Sequence, residues 1–331
     1  MKLTEHTILF NTRILVMAAA LAFSCAKGTP PDGTPTTLTV SLADGLKTKA
    51  TAVTDESENI VNDLQVFVFD EAGALQDYKA AGAAMTATLS ATSGTRTVWA
   101  VVNAPSMADI TTASQLEERA SLLSDNGRDS FVMTGSTTGE IVDGGTVAIT
   151  VKRIVSRVSV AKISTDFKYA MTDKVLTING IYLINVAADN NYAVSAAAPV
   201  NWLNKLGHED ATMDELLYDG LDNVTVSNGN PYSVEHAFYP YPNPIETETY
   251  EDQWAPRHTM LVVDVMLDGV RGYYPIELPV LERNKTYSIE EIVLTRRPGD
   301  VPYKPIETGE ATAQITVAEW ELGLNLGTIT I

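Results

Sequence analysis

Thr37-Leu38-Thr39-Val40-Ser41-Leu42 carries an apolar side chain at every second position and a small hydroxyl between each pair. That is the period of a half-buried β-strand, with Leu38, Val40 and Leu42 on one face. The same signature recurs downstream. Leu64–Phe69 closes on the turn residues Asp70-Glu71-Ala72-Gly73, and Met85–Leu89 leads to Thr97–Asn103, which Pro105 ends. Phe131–Gly135, Gly145–Val151 and Ile154–Ile163 supply three more, giving about seven strands in about 120 residues, the density of a β-sandwich. The second half repeats the style at Lys174–Asn185, Asn223–Ser227, Met260–Leu267, Gly272–Leu278 and Thr286–Thr295. Asp268-Gly269 between two of these runs is hairpin chemistry.

Helical signals are few. Thr112–Leu123 contains Ser114-Gln115-Leu116-Glu117, which has the form of a capping box, and Asp210–Tyr218 is the other short candidate. The pattern therefore predicts an all-β chain of two β-rich halves meeting near residue 168. The stretch Tyr239–Trp254 is rich in Pro and acids and reads as an exposed connection.

Composition narrows the function. The 331 residues carry 23 Lys+Arg against 42 Asp+Glu, for a formal net charge of −19. Such a balance argues against binding nucleic acid or an anionic membrane face by charge. One Cys excludes an internal disulfide framework and a CxxC zinc site. At 45% hydrophobic and 20% charged, the chain has enough apolar residues for a folded core. No phosphate-binding Gly-rich loop, nucleophile elbow, HExxH helix or calcium loop is present, so no enzyme activity, cofactor or metal is expected. His208-Glu209-Asp210 reads as a solvated loop rather than half a metal site. Asp264 and Asp268 share a strand face and read as solvated hairpin carboxylates. Trp99, Trp202, Trp254 and Trp320 are the aromatics available for a carbohydrate platform, although Trp99 sits in an apolar strand that suits the core.

The lone Cys sits where an export signal ends. Lys2, Glu5 and Arg13 leave a positive start, and the apolar run Ile14–Ser24 is about 11 residues, too short for the roughly 20 that span a bilayer. Cys25 follows, then the Gly- and Pro-rich tether 27–35. Residues 1–24 thus resemble a bacterial lipoprotein signal, with Ser24 fitting the residue before the lipidated Cys and Ala22 and Phe23 fitting poorly. The competing reading is an ordinary export signal with an incidental Cys. A diacyl anchor on Cys25 would attach the chain to a membrane without a spanning helix.

The two ends share a pattern. Ala313–Trp320 alternates, Leu322, Leu324 and Leu326 alternate with Gly323 and Asn325, and Ile329 and Ile331 finish the chain in a new register. Left unpaired, such an end is an open edge. Between the first strand and the next lies Asp44-Gly45-Leu46-Lys47-Thr48-Lys49, small, polar residues of the kind proteases nick. A cut after Lys47 or Lys49 would free the strand of Leu38, Val40 and Leu42, exposing pockets worth about 1.5–3 kcal/mol each. The C-terminal strand of another copy could refill them by main-chain pairing plus alternate side chains. That contact is heterologous and does not close, so it builds a filament.

At this point the chain resembles the fimbrillins, the type V pilins of Gram-negative anaerobes. The segments that carry the resemblance are Val98–Pro105, Phe131–Gly135 and Val151–Lys162 in the first half. In the second they are Ala237–Asn243, Tyr273–Ile276, Glu282–Tyr287 and Val317–Trp320. The resemblance implies two tandem transthyretin-like β-sandwich domains (50–168 and 169–331), after a signal (1–24) and a tether with a displaceable strand (25–49). It also implies a lipidated outer-membrane precursor, trimming by a surface protease and donor-strand polymerisation into fimbriae used in adhesion. Carried onto this sequence, Cys25 is the lipid site, 37–42 the displaced strand and 313–331 the donor tail, with Leu322–Leu326 or Ile329–Ile331 as the inserted part. Expected partners are further copies, anchor and tip subunits, the membrane before trimming, and the protease. The best-known members are cut after Arg, but there is none here between Arg13 and Arg96, and a cut at Arg96 would remove two strands. Lys47 and Lys49 remain, requiring a Lys-tolerant protease. If neither is cut, the chain would be an unprocessed anchor subunit. A glycan-binding surface lipoprotein is the alternative from a different class.

Overall fold

The computed structural model describes residues 33–43, 56–193, 198–209, 214–306, 316–320 and 328–330. Its first strand, Pro35–Leu42, alternates as its sequence does: Leu38, Val40 and Leu42 are buried. It is the middle of a three-stranded sheet, antiparallel to Thr86–Thr92 on one side and parallel to Gly145–Ile149 on the other. Opposite stands a five-stranded sheet in the order Leu75–Ala80, Leu64–Phe69, Gly94–Val102, Met133–Ile141, Lys152–Arg153. The three apolar residues of the first strand meet Leu64, Val66 and Val68 and then Val98, Ala100 and Val102 in one cluster. This is a sandwich core.

Leu64–Phe69 is buried along its whole length because the five-stranded sheet is covered on both faces. Phe67 and Phe69, with Trp99 and Val101, point into a second and larger cluster with Met107, Ile110, Leu116 and Leu123. Gln65 is tolerated there because its amide donates to the carbonyls of Ala104 and Pro105, while its oxygen accepts from the Met107 amide and the Tyr78 hydroxyl.

The larger cluster continues between the sheets of the second half. One has the order Tyr218–Ser227, Val175–Ile184, Met260–Leu267, Val270–Glu277. The other contains Arg157–Val160 and Lys285–Ile289, with His236–Phe238 and Thr316–Glu319 on its flanks. Ile163–Thr165 and Glu291–Leu294 extend its two central strands, which run parallel. In Val175–Ile184 the register against Met260–Leu267 shifts by one residue between Ile178 and Gly180. The bulge moves the core-facing side chains from Leu176 and Ile178 to Ile181 and Leu183, while Leu267, Val265, Val263 and Leu261 opposite keep a strict period of two. A Cβ on Gly180 would lie 2.9 Å from the Tyr218 ring, so only glycine fits there. Asp268 and Gly269 both have positive φ, the backbone of the expected hairpin turn.

Three local expectations need correction, and one strand was not expected. The short helix is Ala113–Glu118, capped by Thr112 accepting from the Gln115 amide, not by Ser114. Asp264 is buried, not solvated: Asn179 and Arg271 both donate to its carboxylate. The stretch after Tyr239 is not wholly an exposed connection, because Tyr239, Tyr241 and Asn243 are buried, and the Tyr241 hydroxyl joins Ser121 and Asn126. Leu75–Ala80 is a strand although its sequence does not alternate.

Candidate functional site: the seat of the first strand and the roots of both ends

The seat of Pro35–Leu42 is built from two strands brought together from distant sequence. Its ends are pinned as well as its length. Past its C-terminal end, the Ala43 amide donates to the Ile149 carbonyl at 2.8 Å, and Leu42 donates to Met85 at 2.9 Å. At its N-terminal end, Asp143 accepts from the Thr36 hydroxyl at 2.9 Å and the Thr37 amide at 3.3 Å. Those bonds, the Thr36 hydroxyl first, hold the Asp143 carboxyl below its ordinary 3.8. Removing this strand would uncover apolar pockets on one side and two rows of unpaired main-chain groups along the other strands.

A second constellation centres on Glu58, a fully buried carboxylate in the 3₁₀ turn Glu56–Asn59. One oxygen accepts from Arg157 Nε at 3.2 Å and from the Tyr239 hydroxyl at 2.5 Å. The other accepts from the Trp320 indole at 3.1 Å. Arg153 donates to the Glu58 carbonyl through Nε at 3.1 Å and Nη2 at 2.9 Å, and its guanidinium lies 4.5 Å from the Trp320 ring centre. Burial works against the Arg157 charge, but Glu58, Tyr239 and Glu235 together outweigh it and hold its pKa above the ordinary value. Burial, then the Glu58 charge, pushes the Tyr239 hydroxyl well up, so it stays a donor. Phe131, Tyr239 and Trp320 close the site as an aromatic group, with centroids 4.6–6.0 Å apart. Nothing in Glu56-Ser57-Glu58-Asn59 distinguishes this acid from a solvated one. The signal lay in Arg153 and Arg157, cations next to the apolar residues Ile154, Val155, Val158 and Val160, which once buried need a partner.

Of the expected site residues, Leu38, Val40 and Leu42 converge in one sandwich core. Cys25, Lys47, Lys49, Leu322, Leu324, Leu326 and Ile331 lie outside the described residues, as do the signal and most of the tether. Two parts of the tail are described: Thr316–Glu319 pairs antiparallel with Lys285–Ser288, and Thr328–Thr330 runs parallel to Glu291–Val293, with Ile329 opposite Ile292. Arg96 is buried and bonded through its guanidinium to Gln76, Thr92, Ser93 and Thr95. Four strands precede it among the described residues.

The tryptophans do not form a platform. Trp99 and Trp320 are core residues, while Trp202 and Trp254 meet edge to face at 62°, with Lys205 and Arg257 each about 5.5 Å from the Trp254 ring. His208 stacks on Tyr218 at 4.2 Å, and no group of three potential metal ligands occurs among the described residues.

Residues 36–195 match the family of the major fimbrial subunit protein (FimA), a span that begins with the first strand. No curated protein sequence matches the chain. A crystal structure of a candidate cell adhesion protein from Bacteroides eggerthii superposes with a TM-score of 0.67 at 18% identity, covering 92% of this chain and all of that one. A fimbrilin from Porphyromonas gingivalis gives 0.56 at 13% identity over 89% and 96%. The tip fimbrial protein Mfa3 of the same organism, truncated at its C-terminus, gives 0.54 at 14% over 86% and 100%. Residues 36–195 are thus similar to the major fimbrial subunit family, and the described chain shares the fold of the fimbrilin.

Proposed function

We propose that the chain is a stalk-forming fimbrial subunit, made as a precursor lipidated on Cys25, trimmed after Lys47 or Lys49, and polymerised at the cell surface by donor-strand exchange. The observation that carries this reading is the position of Pro35–Leu42. A strand in the middle of its sheet, with three side chains in the core, leaves both a groove and unpaired main chain when it is removed. A donor from a second copy answers both needs, and only a segment with apolar residues at every second position does so. Leu322–Leu326 and Ile329–Ile331 have that spacing. Two tandem sandwich domains, 50–168 and 169–331, suit such a subunit, with the groove in the first and the tail leaving the second. Trimmed subunits would pair with further copies and with anchor and tip proteins in an outer-membrane fimbrium that serves adhesion.

The test is the N-terminal sequence of protein recovered from the cell surface, together with trypsin treatment of the purified precursor. A new N-terminus at Thr48 or Ala50 and ladders on unheated gels are expected. Trimmed protein that stays monomeric overturns the reading. An intact, lipidated Cys25 on surface material would instead assign the role of an unprocessed anchor subunit.

A further inference from the structure

The Glu58 constellation joins two places that matter for strand exchange: its turn follows the segment where trimming is proposed, and Trp320 immediately precedes the last 11 residues of the chain. Trp320 is held in three independent ways. Its amide donates to the Asn284 carbonyl at 2.9 Å, its indole to Glu58 at 3.1 Å, and its ring packs with the Arg153 guanidinium and the aromatic pair Phe131 and Tyr239. Glu58 in turn is held without help from the first strand, because Arg153 grips its carbonyl, and Arg157 and Tyr239 saturate its other oxygen. A cut anywhere before Glu56 leaves every one of these bonds in place.

We propose that Glu58 is a positioning residue that fixes Trp320 as the pivot of the C-terminal tail, so that the strand given to a neighbour is drawn only from residues 321–331. The proposal rests on the strand-exchange reading and sharpens it. Thr316–Glu319 stays on its own sheet through exchange, while Thr328–Thr330 leaves Glu291–Val293. A fixed pivot also limits reach. Leu322 can lie no more than about 7 Å from Trp320, Leu326 about 20 Å and Ile331 about 36 Å, at roughly 3.3 Å per extended residue. A neighbour filled by Leu322–Leu326 must therefore abut the Glu58 site.

Hydrogen exchange read by mass spectrometry tests this in the full-length precursor and in the trimmed polymer. Residues 316–320 are expected to keep their protection on polymerisation while 328–330 change theirs. In uncut Glu58→Gln, 316–320 are expected to exchange at least tenfold faster, with Leu64–Phe69 unchanged as the mark of an intact fold. Loss of protection at 316–320 in the wild-type polymer, or unaltered protection in Glu58→Gln, overturns the pivot. If Glu58→Gln does not fold, Trp320→Phe, which removes the indole N–H together with part of the ring system while keeping an aromatic ring, carries the same comparison. Failure of trimmed wild-type protein to form ladders overturns strand exchange instead, and the comparison in the uncut chain still decides whether Glu58 holds Trp320.

Discussion

Asp143 shows how one side chain makes the first strand sensitive to acid. Its carboxyl is held below the ordinary 3.8, first by the Thr36 hydroxyl and then by the Thr37 amide, so the folded chain binds its proton less readily than the unfolded one. The stabilisation is complete above about pH 4 and is lost as pH falls through the lowered value. Asp143→Asn is expected to remove that dependence and speed hydrogen exchange at Thr37 at pH 7, read by mass spectrometry as a function of pH. Asp264 makes the opposite kind of contribution, being buried while Arg271 beside it is largely exposed. Arg271→Ala leaves that carboxylate with Asn179 and is expected to cost about 1.5–3 kcal/mol, measured by urea unfolding. Charged residues are also where sequence reading failed. Asp264 and Glu58 look like hairpin and loop acids, because the arginines that make their burial tolerable lie 7 and 99 residues away.

At the scale of the element, the first strand was fully legible: alternation fixes which residues face the core, and the five-stranded sheet opposite supplies the apolar wall. Its neighbours were not. Parallel pairing with Gly145–Ile149 joins segments about a hundred residues apart, and no local pattern records that. Leu75–Ala80 escaped for another reason, since as an edge strand it gains its place from main-chain pairing with Gln65–Phe69 rather than from burial. Leu38→Ala is expected to destabilise the precursor's first sandwich by about 2–5 kcal/mol. Under the proposed trimming the same substitution has no effect on the mature subunit, which no longer contains the residue. Thermal unfolding before and after trypsin reads both outcomes.

For the whole molecule, the distribution of basic residues bears on where it can be cut. Arg96, Arg153, Arg157 and Arg257 are all buried, and Arg257 spends its guanidinium on the carbonyls of Thr249, Glu251, Gln253 and Ala255. Brief trypsin treatment of native protein is therefore expected to spare these four bonds, and Lys47→Gln combined with Lys49→Gln to abolish the early N-terminal cut. Deleting residues 322–331 is expected to leave trimming intact and abolish ladders, as seen on unheated gels.

The first strand is paired along both of its edges, with Thr86–Thr92 and with Gly145–Ile149. A strand occupying that seat and pulled along its own axis would have to slide past both neighbours together, breaking two ladders of hydrogen bonds in shear rather than peeling one bond at a time. Resistance to such pulling is set by the rate of that single concerted rupture, not by equilibrium affinity. A filament joined through this seat would thus have joints that tolerate drag, and would be strongest along the direction in which flow stretches it.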